Sequence, residues 1–285
     1  MTASPFQLLA LQGDLPGRLA AGDPDVVRPL AAFTGHSGAG LVLGEESRPL
    51  RYDPAALATA LSVRLPRWPV LTVSDGAGDH PYNAARRFLS VDHLTGGRSG
   101  VVFRSRGSAP RHTAERISVI RALWNSWPIH SLVADRGTGI YAHTEGIRAI
   151  DHQGRDFAVY GALDSPTSIQ GEPVSLWYVA TAEELDAAHG LVDLVIIDDP
   201  ALLGRWAASA QDERPGLVAS GIAHDDEATA ELVPLHSAYE LAEAVAGIPT
   251  AERVDAAPSL RAVLCLPPRS YDLSSKPLAF GVQHA

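Results

Sequence analysis

The chain has 285 residues, 46% of them hydrophobic and 20% charged, which suits one large packed domain or two small ones and excludes global disorder. Lys and Arg number 23 against 33 Asp and Glu, a formal charge of −10, so a general nucleic-acid-coating surface is excluded. Cys265 is the only cysteine and Lys276 the only lysine, which leaves no internal disulfide, no cysteine-built metal centre and no Schiff-base site away from Lys276.

Apolar runs and helical periodicities alternate along the chain. In order they predict a strand at Phe6–Leu11, a helix at 25–33, a strand at Ala39–Leu43, a helix at 54–62, a strand at 69–73 and a helix at 81–91. A strand at Ser99–Phe103, a helix at 113–127 and an insertion at 128–172 follow. Strands at Val174–Tyr178, Leu194–Ile197 and Gly216–Ser220 then alternate with helices at 182–189, 200–210 and 238–246. The eighth strand is expected at 262–266, with a last helix drawn from 269–285. The strands read as continuous apolar runs, as parallel strands covered on both faces do. Pro54, Pro81 and Pro200 each follow Asp or His, where a first helical turn tolerates proline. The class is α/β, and the pattern predicts a single (β/α)8 TIM-type barrel over 1–285, with the insertion between the fourth helix and the fifth strand. A doubly wound open sheet is the competitor, since periodicity alone does not close a sheet. Within the insertion, 147–150 and 157–160 are expected to pair as a hairpin. Residues 1–11 lack a basic start and a long apolar core, and no apolar run reaches bilayer length, so a cytoplasmic protein without a leader is expected.

Two groups of motifs go beyond a generic barrel. The first is Thr72-Val-Ser, PYNAARRF at 81–88 and VDHLTGGR at 91–98. The second is ALWNSW at 122–127, IDHQG at 150–154, Phe157, GAL at 161–163 and SIQGEPV at 168–174. In this order they resemble the bacterial luciferase-like flavin monooxygenases, in the branch of nitrilotriacetate and dibenzothiophene-sulfone monooxygenases, over about a third of the chain. The resemblance implies a (β/α)8 barrel that uses reduced FMN, delivered by a separate reductase, and O2 to oxygenate a small organic substrate. It also implies a dimer, either of two copies or with a related barrel, through the helix carrying Arg86, Arg87 and Phe88.

The strand ends depart from the family's pattern. Gly44-Glu45 stands where the family has Ala-Asp, Ser74-Asp75-Gly76 where it has Ser-Thr-Thr, and Val101-Val102 where it has Trp-Asn. The loop at 106–113 is short, with Pro110 or His112 near the place of a phosphate-holding Tyr, and Val179-Ala-Thr181 replaces Gly-x-Ser. A Cβ at Val179 would obstruct close backbone approach to a phosphate. Glu45, Glu46, Asp75, Asp79, Asp198, Asp199, Asp225 and Asp226 all fall beyond strand ends, an acidic mouth that would repel a dianion unless Arg104, Arg106, Arg111 or His112 offsets it. The expected flavin contacts are therefore Arg104, Arg106 and His112 at the phosphate, Glu45, Ser74 and Asp75 on the ring or substrate side, and Tyr178 and Thr181 at the end of the fifth strand. The catalytic residues are left open.

The second reading is a barrel that has lost flavin and serves as a partner subunit or binding module. The third is an unrelated barrel whose acidic mouth takes a cationic ligand. Asp75, Asp79 and His80 could begin a metal site, but helix capping is the simpler role. Glu45 with Asp75 or Asp198 would suit glycoside hydrolysis, which needs two carboxylates at a fixed separation. No Gly-x-Ser-x-Gly turn is present, and Ser37 in its glycine-rich stretch precedes a strand where a phosphate cradle would follow one. Asp151 and His152, and the Gly96-Gly97 turn, enter strands and so are assigned to the stability face or outer wall. Cys265 is expected to be a buried mid-strand hydrophobe, and Trp124 and Trp127 to pack against barrel and insertion.

Overall fold

The computed structural model describes residues 5–33, 38–44, 52–76, 79–210, 214–223, 227–248 and 258–280. Eight parallel strands close into a barrel: β1 (Phe6–Leu11), β2 (Ala39–Leu43), β3 (Val70–Ser74), β4 (Ser99–Phe103), β5 (Val174–Tyr178), β6 (Leu194–Ile197), β7 (Gly216–Ser220) and β8 (Ala228–Leu235). Each pairs with its sequence neighbour, and β1 closes the ring against β8 through Phe6↔Ala230 to Leu11↔Leu235. The open-sheet alternative is thereby overturned.

Helices α1 (Leu15–Ala21), α2 (Pro24–Ala32), α3 (Pro54–Arg64), α4 (Pro81–Thr95), α5 (Pro110–Trp124), α6 (Ala182–Ala188), α7 (Pro200–Ala207) and α8 (Ala238–Gly247) surround the strands. Their starts are written locally. Asp23, Asp53 and Asp199 accept first-turn amides of α2, α3 and α7, His80 does so for α4, and a proline opens each of these helices. Gly96 and Gly97 end α4 with φ of 64° and 77°, as a left-handed helix stop requires. Inside the barrel, Leu8, Val42, Leu71, Val102, Leu176 and Ile196 form the core, while alternate residues such as Leu9, Leu41 and Val195 pack outward under the helices.

The last third corrects the sequence reading. The eighth strand is β8, and 262–266 is not a strand. β8 was hidden because Glu231 and Pro234 interrupt its apolar run, and its burial alternates rather than being continuous. Residues 221–227 alone link β7 to β8, too few for a crossover helix, so the helix at 238–246 follows the last strand. Leu260 opens a short helix, α9 (Leu260–Val263), Leu264 caps its end, and both pack in the barrel-interior cluster. Cys265 just beyond is exposed with φ 53°, not buried in a strand.

Most of the matched motifs meet at the N-terminal ends of the strands. Asp92 is fully buried and accepts hydrogen bonds from Ser99 (Oγ 2.9 Å, N 3.3 Å), Gln170 Nε2 (2.7 Å) and Ser168 Oγ. Glu172 takes Arg121 through both oxygens at 2.7 and 3.1 Å and Asn125 at 2.9 Å. Asp193 takes both Arg261 Nη atoms at 2.8 and 3.1 Å, and the amide and hydroxyl of Ser175 at 2.9 Å each. VDHLTGGR, LWNSW and SIQGEPV thus encode a polar clamp that ties α4, α5, the insertion and α9 to the base of the barrel. Trp124 is buried and donates to Ala85 O at 2.9 Å, and Trp127 donates to Ser131 Oγ at 2.7 Å.

The insertion holds two small hairpins, Leu132–Asp135 with Ile140–Ala142, which the sequence reading missed, and His152–Gln153 with Ala158–Val159. The second pairs later than expected: 147–150 is not an arm, because Asp151 takes φ 39° and turns the chain before pairing starts. Among the described residues no helix is long and apolar enough to cross a membrane.

Candidate functional site

A cleft of about 360 Å3 opens at the C-terminal ends of β4 and β5, the end of such barrels at which ligands are held. Arg104, Ser105 and Arg106 line it as the chain leaves β4, and Tyr178, Ala180 and Thr181 as it leaves β5. The Arg104 guanidinium lies 3.9 Å from the centre of the Tyr178 ring, a cation–π stack that fixes both side chains. The Tyr178 hydroxyl donates to Asp198. Arg106 has φ 40° and Gly107 φ 88°. Two left-handed residues in succession make the tight turn that sets Arg106 beside Asp75, at 3.7 Å. The Ser105 hydroxyl is buried and makes no hydrogen bond, a donor without an acceptor in the wall of the cleft. α5 starts at this rim with Pro110 and without a side-chain cap, so its positive end faces an uncapped first turn.

On the β5 side the backbone amides are already engaged. Thr181 Oγ1 accepts the Glu184 amide at 3.2 Å, and Glu184 Oε2 accepts the Ala180 amide at 2.6 Å, a reciprocal capping box on α6. The Val179 amide donates to Ile196 O at 3.1 Å. Val179 is fully buried among the side chains between strands and helices and does not line the cleft, so its Cβ is no obstruction there.

The sequence-derived site residues therefore divide. Arg104, Arg106, Tyr178 and Thr181 share one cleft, with the Thr181 hydroxyl committed to its cap. Asp75 stands beside it through Arg106. Ser74 is set apart, accepting Arg116 Nη1 at 2.8 Å. His112 is also set apart: its ring packs on Phe157 at 5.0 Å and Nδ1 lies 3.4 Å from Asp156, because the insertion hairpin draws it outward. Glu45 lies outside the described residues, as do Glu46, Asp225, Asp226 and Ser37. Of the acidic mouth, Asp79 binds Arg87 at 2.5 Å, Asp199 caps α7 and Asp198 is held by Tyr178, so these carboxylates are matched rather than massed. His80 caps α4, the simpler of the roles weighed for it.

Sequence reasoning missed Ser105 and Arg116. Arg116 is 3% exposed beneath β3, with Nε and Nη2 making no hydrogen bond and Asp79 at 3.9 Å from Nη2. Burial foremost, with the Arg87 charge, pulls its pKa down while Asp79 and Asp75 oppose this. Its position, nearly two turns inside α5 on the barrel-facing stripe, was the signal available.

The insertion also reaches this rim, higher on the outer wall than its chain position suggests. Glu115 on α5 accepts His152 Nε2 at 3.0 Å, the Phe157 amide at 2.9 Å and the Asp156 amide at 3.1 Å, which anchors the hairpin tip. Burial raises the Glu115 pKa, but these hydrogen bonds and the His152 charge together hold it below the ordinary value. A depressed carboxylate stabilises above its unfolded pKa and loses that contribution as pH falls through the folded one. Glu115→Gln should speed hydrogen exchange at Asp156 and Phe157 about tenfold, corresponding to roughly 1–2 kcal/mol of local stability. Unchanged exchange at these two amides would show that the anchor lies elsewhere.

Comparison with known proteins places this geometry. A pristinamycin IIA synthase subunit from Streptomyces pristinaespiralis is 34% identical over 166 residues, covering 58% of this chain and 56% of that protein. Dibenzothiophene-sulfone monooxygenase of Rhodococcus erythropolis is 36% identical over 113 residues, 34% of this chain and 25% of that protein. Component A of nitrilotriacetate monooxygenase from Aminobacter aminovorans is 32% identical over 139 residues, 43% and 31% of the two chains. Over part of its length the chain is similar to luciferase-like monooxygenases. The chain spans little more than half, or less, of the length of these curated relatives. No family model matches it. Two solved structures share the fold at 18% identity: long-chain alkane monooxygenase (TM-score 0.60, 77% of this chain and 64% of that one) and EDTA monooxygenase from Chelativorans sp. BNC1 (0.58, 76% and 62%).

Proposed function

We propose that the chain is a flavin-dependent monooxygenase barrel that holds the phosphate of reduced FMN in the β4–β5 cleft. The observation that carries this reading is the cleft itself. Arg104 is braced on Tyr178, Arg106 is presented by a strained turn, and the Ser105 hydroxyl lacks an acceptor, all beside the uncapped start of α5. A phosphate would complete that set: guanidinium forks match its oxygens and the serine supplies a neutral donor. Reduced FMN, when bound, would supply the electrons and the oxygen-activating chemistry. The chain's own residues hold the phosphate, keep Tyr178 and Asp198 locked, and leave Asp75 at the edge facing a small organic substrate. A separate reductase as the source of the reduced flavin, a cytoplasmic location and a dimer are parts of the same reading.

A second reading is favoured by one observation. The Val179 and Ala180 amides and the Thr181 hydroxyl are all engaged internally, so one side of the phosphate grip is missing. In that reading the chain is the supporting subunit of a larger barrel, in keeping with the subunit name of one relative.

Anaerobic titration of the purified protein with photoreduced FMN, read by calorimetry, separates the two. Saturable micromolar binding is the expected result. Absence of binding would sink the monooxygenase reading and leave the supporting-subunit one.

A further inference from the structure

A second, larger cavity of about 590 Å3 lies at the opposite, N-terminal end of the strands. His189 at the end of α6, Asp193 before β6, Arg214 before β7 and Arg269 beyond α9 line it. Val192, Pro215, Leu266 and Pro267 supply an apolar wall.

Its charges do not balance. Asp193 is the one acid among the described residues of the lining, and it is already matched by Arg261 and Ser175. Glu172 is matched by Arg121, and Glu227 by Arg214 at 2.7 Å. Among the described residues, four guanidiniums (Arg121, Arg214, Arg261, Arg269) thus meet three carboxylates, in a chain whose net charge is strongly negative. Arg269 is the surplus one: Nη2 is fixed on Gly190 O at 2.7 Å, while Nη1 is buried, makes no hydrogen bond and lies 3.7 Å from Asp193. Burial first, and then the Arg121 and Arg261 charges, lower its pKa against the pull of Asp193 and Glu172. His189 Nε2 is likewise buried without a partner. A buried polar atom without a partner is costly, and both of these belong to residues that line this one cavity.

We propose that this cavity binds a small oxyanion, a carboxylate or phosphate carried on an apolar body, between Arg269 and His189. Arg214 is held rigidly by Glu227 and by stacking 3.9 Å from the Trp206 ring, so it shapes the wall and adds field rather than moving. The stem of the ligand lies on Leu266, Pro267 and Pro215. The site is separate from the β4–β5 cleft and stands independently of the flavin reading.

Inorganic phosphate and benzoate, each against chloride at equal ionic strength, are the probes, with thermal unfolding as the readout. At about ten times its dissociation constant, a ligand of the native state raises the folding constant about tenfold and the melting temperature by roughly 2–3 °C. Whichever probe gives the rise identifies the source, phosphate monoester or carboxylate. Measured in an Arg104→Ala, Arg106→Ala background, which removes the phosphate grip proposed for the β4–β5 cleft, Arg269→Gln and His189→Ala should abolish the rise and Arg269→Lys should keep part of it. Circular dichroism of each variant checks the fold. No rise with either probe in that background, or a rise surviving both Arg269→Gln and His189→Ala, overturns the proposal.

Discussion

Asp193→Ala should lower the melting temperature by roughly 5–8 °C, corresponding to about 3–5 kcal/mol. Asp193 and Arg261 are both nearly inaccessible, and Arg261 reaches the carboxylate through two nitrogens. Removing the acid leaves a buried guanidinium whose remaining partners are the carbonyls of Glu172 and Pro267. The cost is therefore dominated by stranded charge, with the Ser175 amide and hydroxyl losing an acceptor as well. The double variant Asp193→Ala, Arg261→Met should recover much of the loss, since replacing both partners avoids the stranded charge. A double variant no more stable than the single one would show that the pair contributes by packing alone.

The same pair sets an acid limit. Burial raises the Asp193 pKa, but the Arg261 hydrogen bond and charge, the Arg269 charge and the Ser175 amide together hold it below the usual carboxylate value. Its folded pKa being depressed, its contribution is complete above the unfolded carboxylate pKa and is lost as pH falls through the folded one. Stability measured downward through that window should fall less steeply in Asp193→Ala than in the parent.

Seven strands, the barrel class and most helix starts were legible because each rests on a local rule: continuous apolar runs, Asp-Pro or His-Pro starts and glycine stops. The eighth strand was not. Glu231 and Pro234 break its run, and its pairing with β1 and β7 is what reveals it as a strand. Residues 262–266 misled because Leu264 and Leu266 alternate like a strand, while the decisive spacing is Leu260 to Leu264, with Arg261 between them reaching Asp193. The motifs that carried the family resemblance turned out to be structural. Asp92, Arg121, Asn125, Gln170 and Glu172 bind one another, the insertion and the barrel base, so matching them reports scaffold rather than chemistry. The cleft was legible as to its cations, since Arg104 and Arg106 leave one strand end. Ser105 was passed over because serines are common in loops and only its missing partner singles it out. His112 was misplaced because its fate depends on Phe157 and Asp156, more than forty positions away in the chain, which no local pattern reports.

The two arginines of that cleft carry the largest functional effect. Arg104→Ala combined with Arg106→Ala should weaken reduced-FMN binding about a hundredfold, roughly 3 kcal/mol at 1.4 kcal/mol per tenfold. A hydrogen bond to a charged group contributes about 1.5–3 kcal/mol, and both residues are partly solvent-screened, so the lower figure applies to each. Each single variant should lose about tenfold, with Arg104→Ala also freeing the Tyr178 ring from its stack. Thr181→Ala is the control that separates phosphate contact from helix capping. Its hydroxyl holds the Glu184 amide, so stability should fall by about 1 kcal/mol while flavin affinity stays unchanged. Ser105→Ala should weaken binding without lowering stability, since its buried hydroxyl has no protein partner to lose. If Thr181→Ala weakened the flavin and the arginine variants did not, the phosphate would belong on the β5 side, and the β4 cations would be surface charges matched to Asp75.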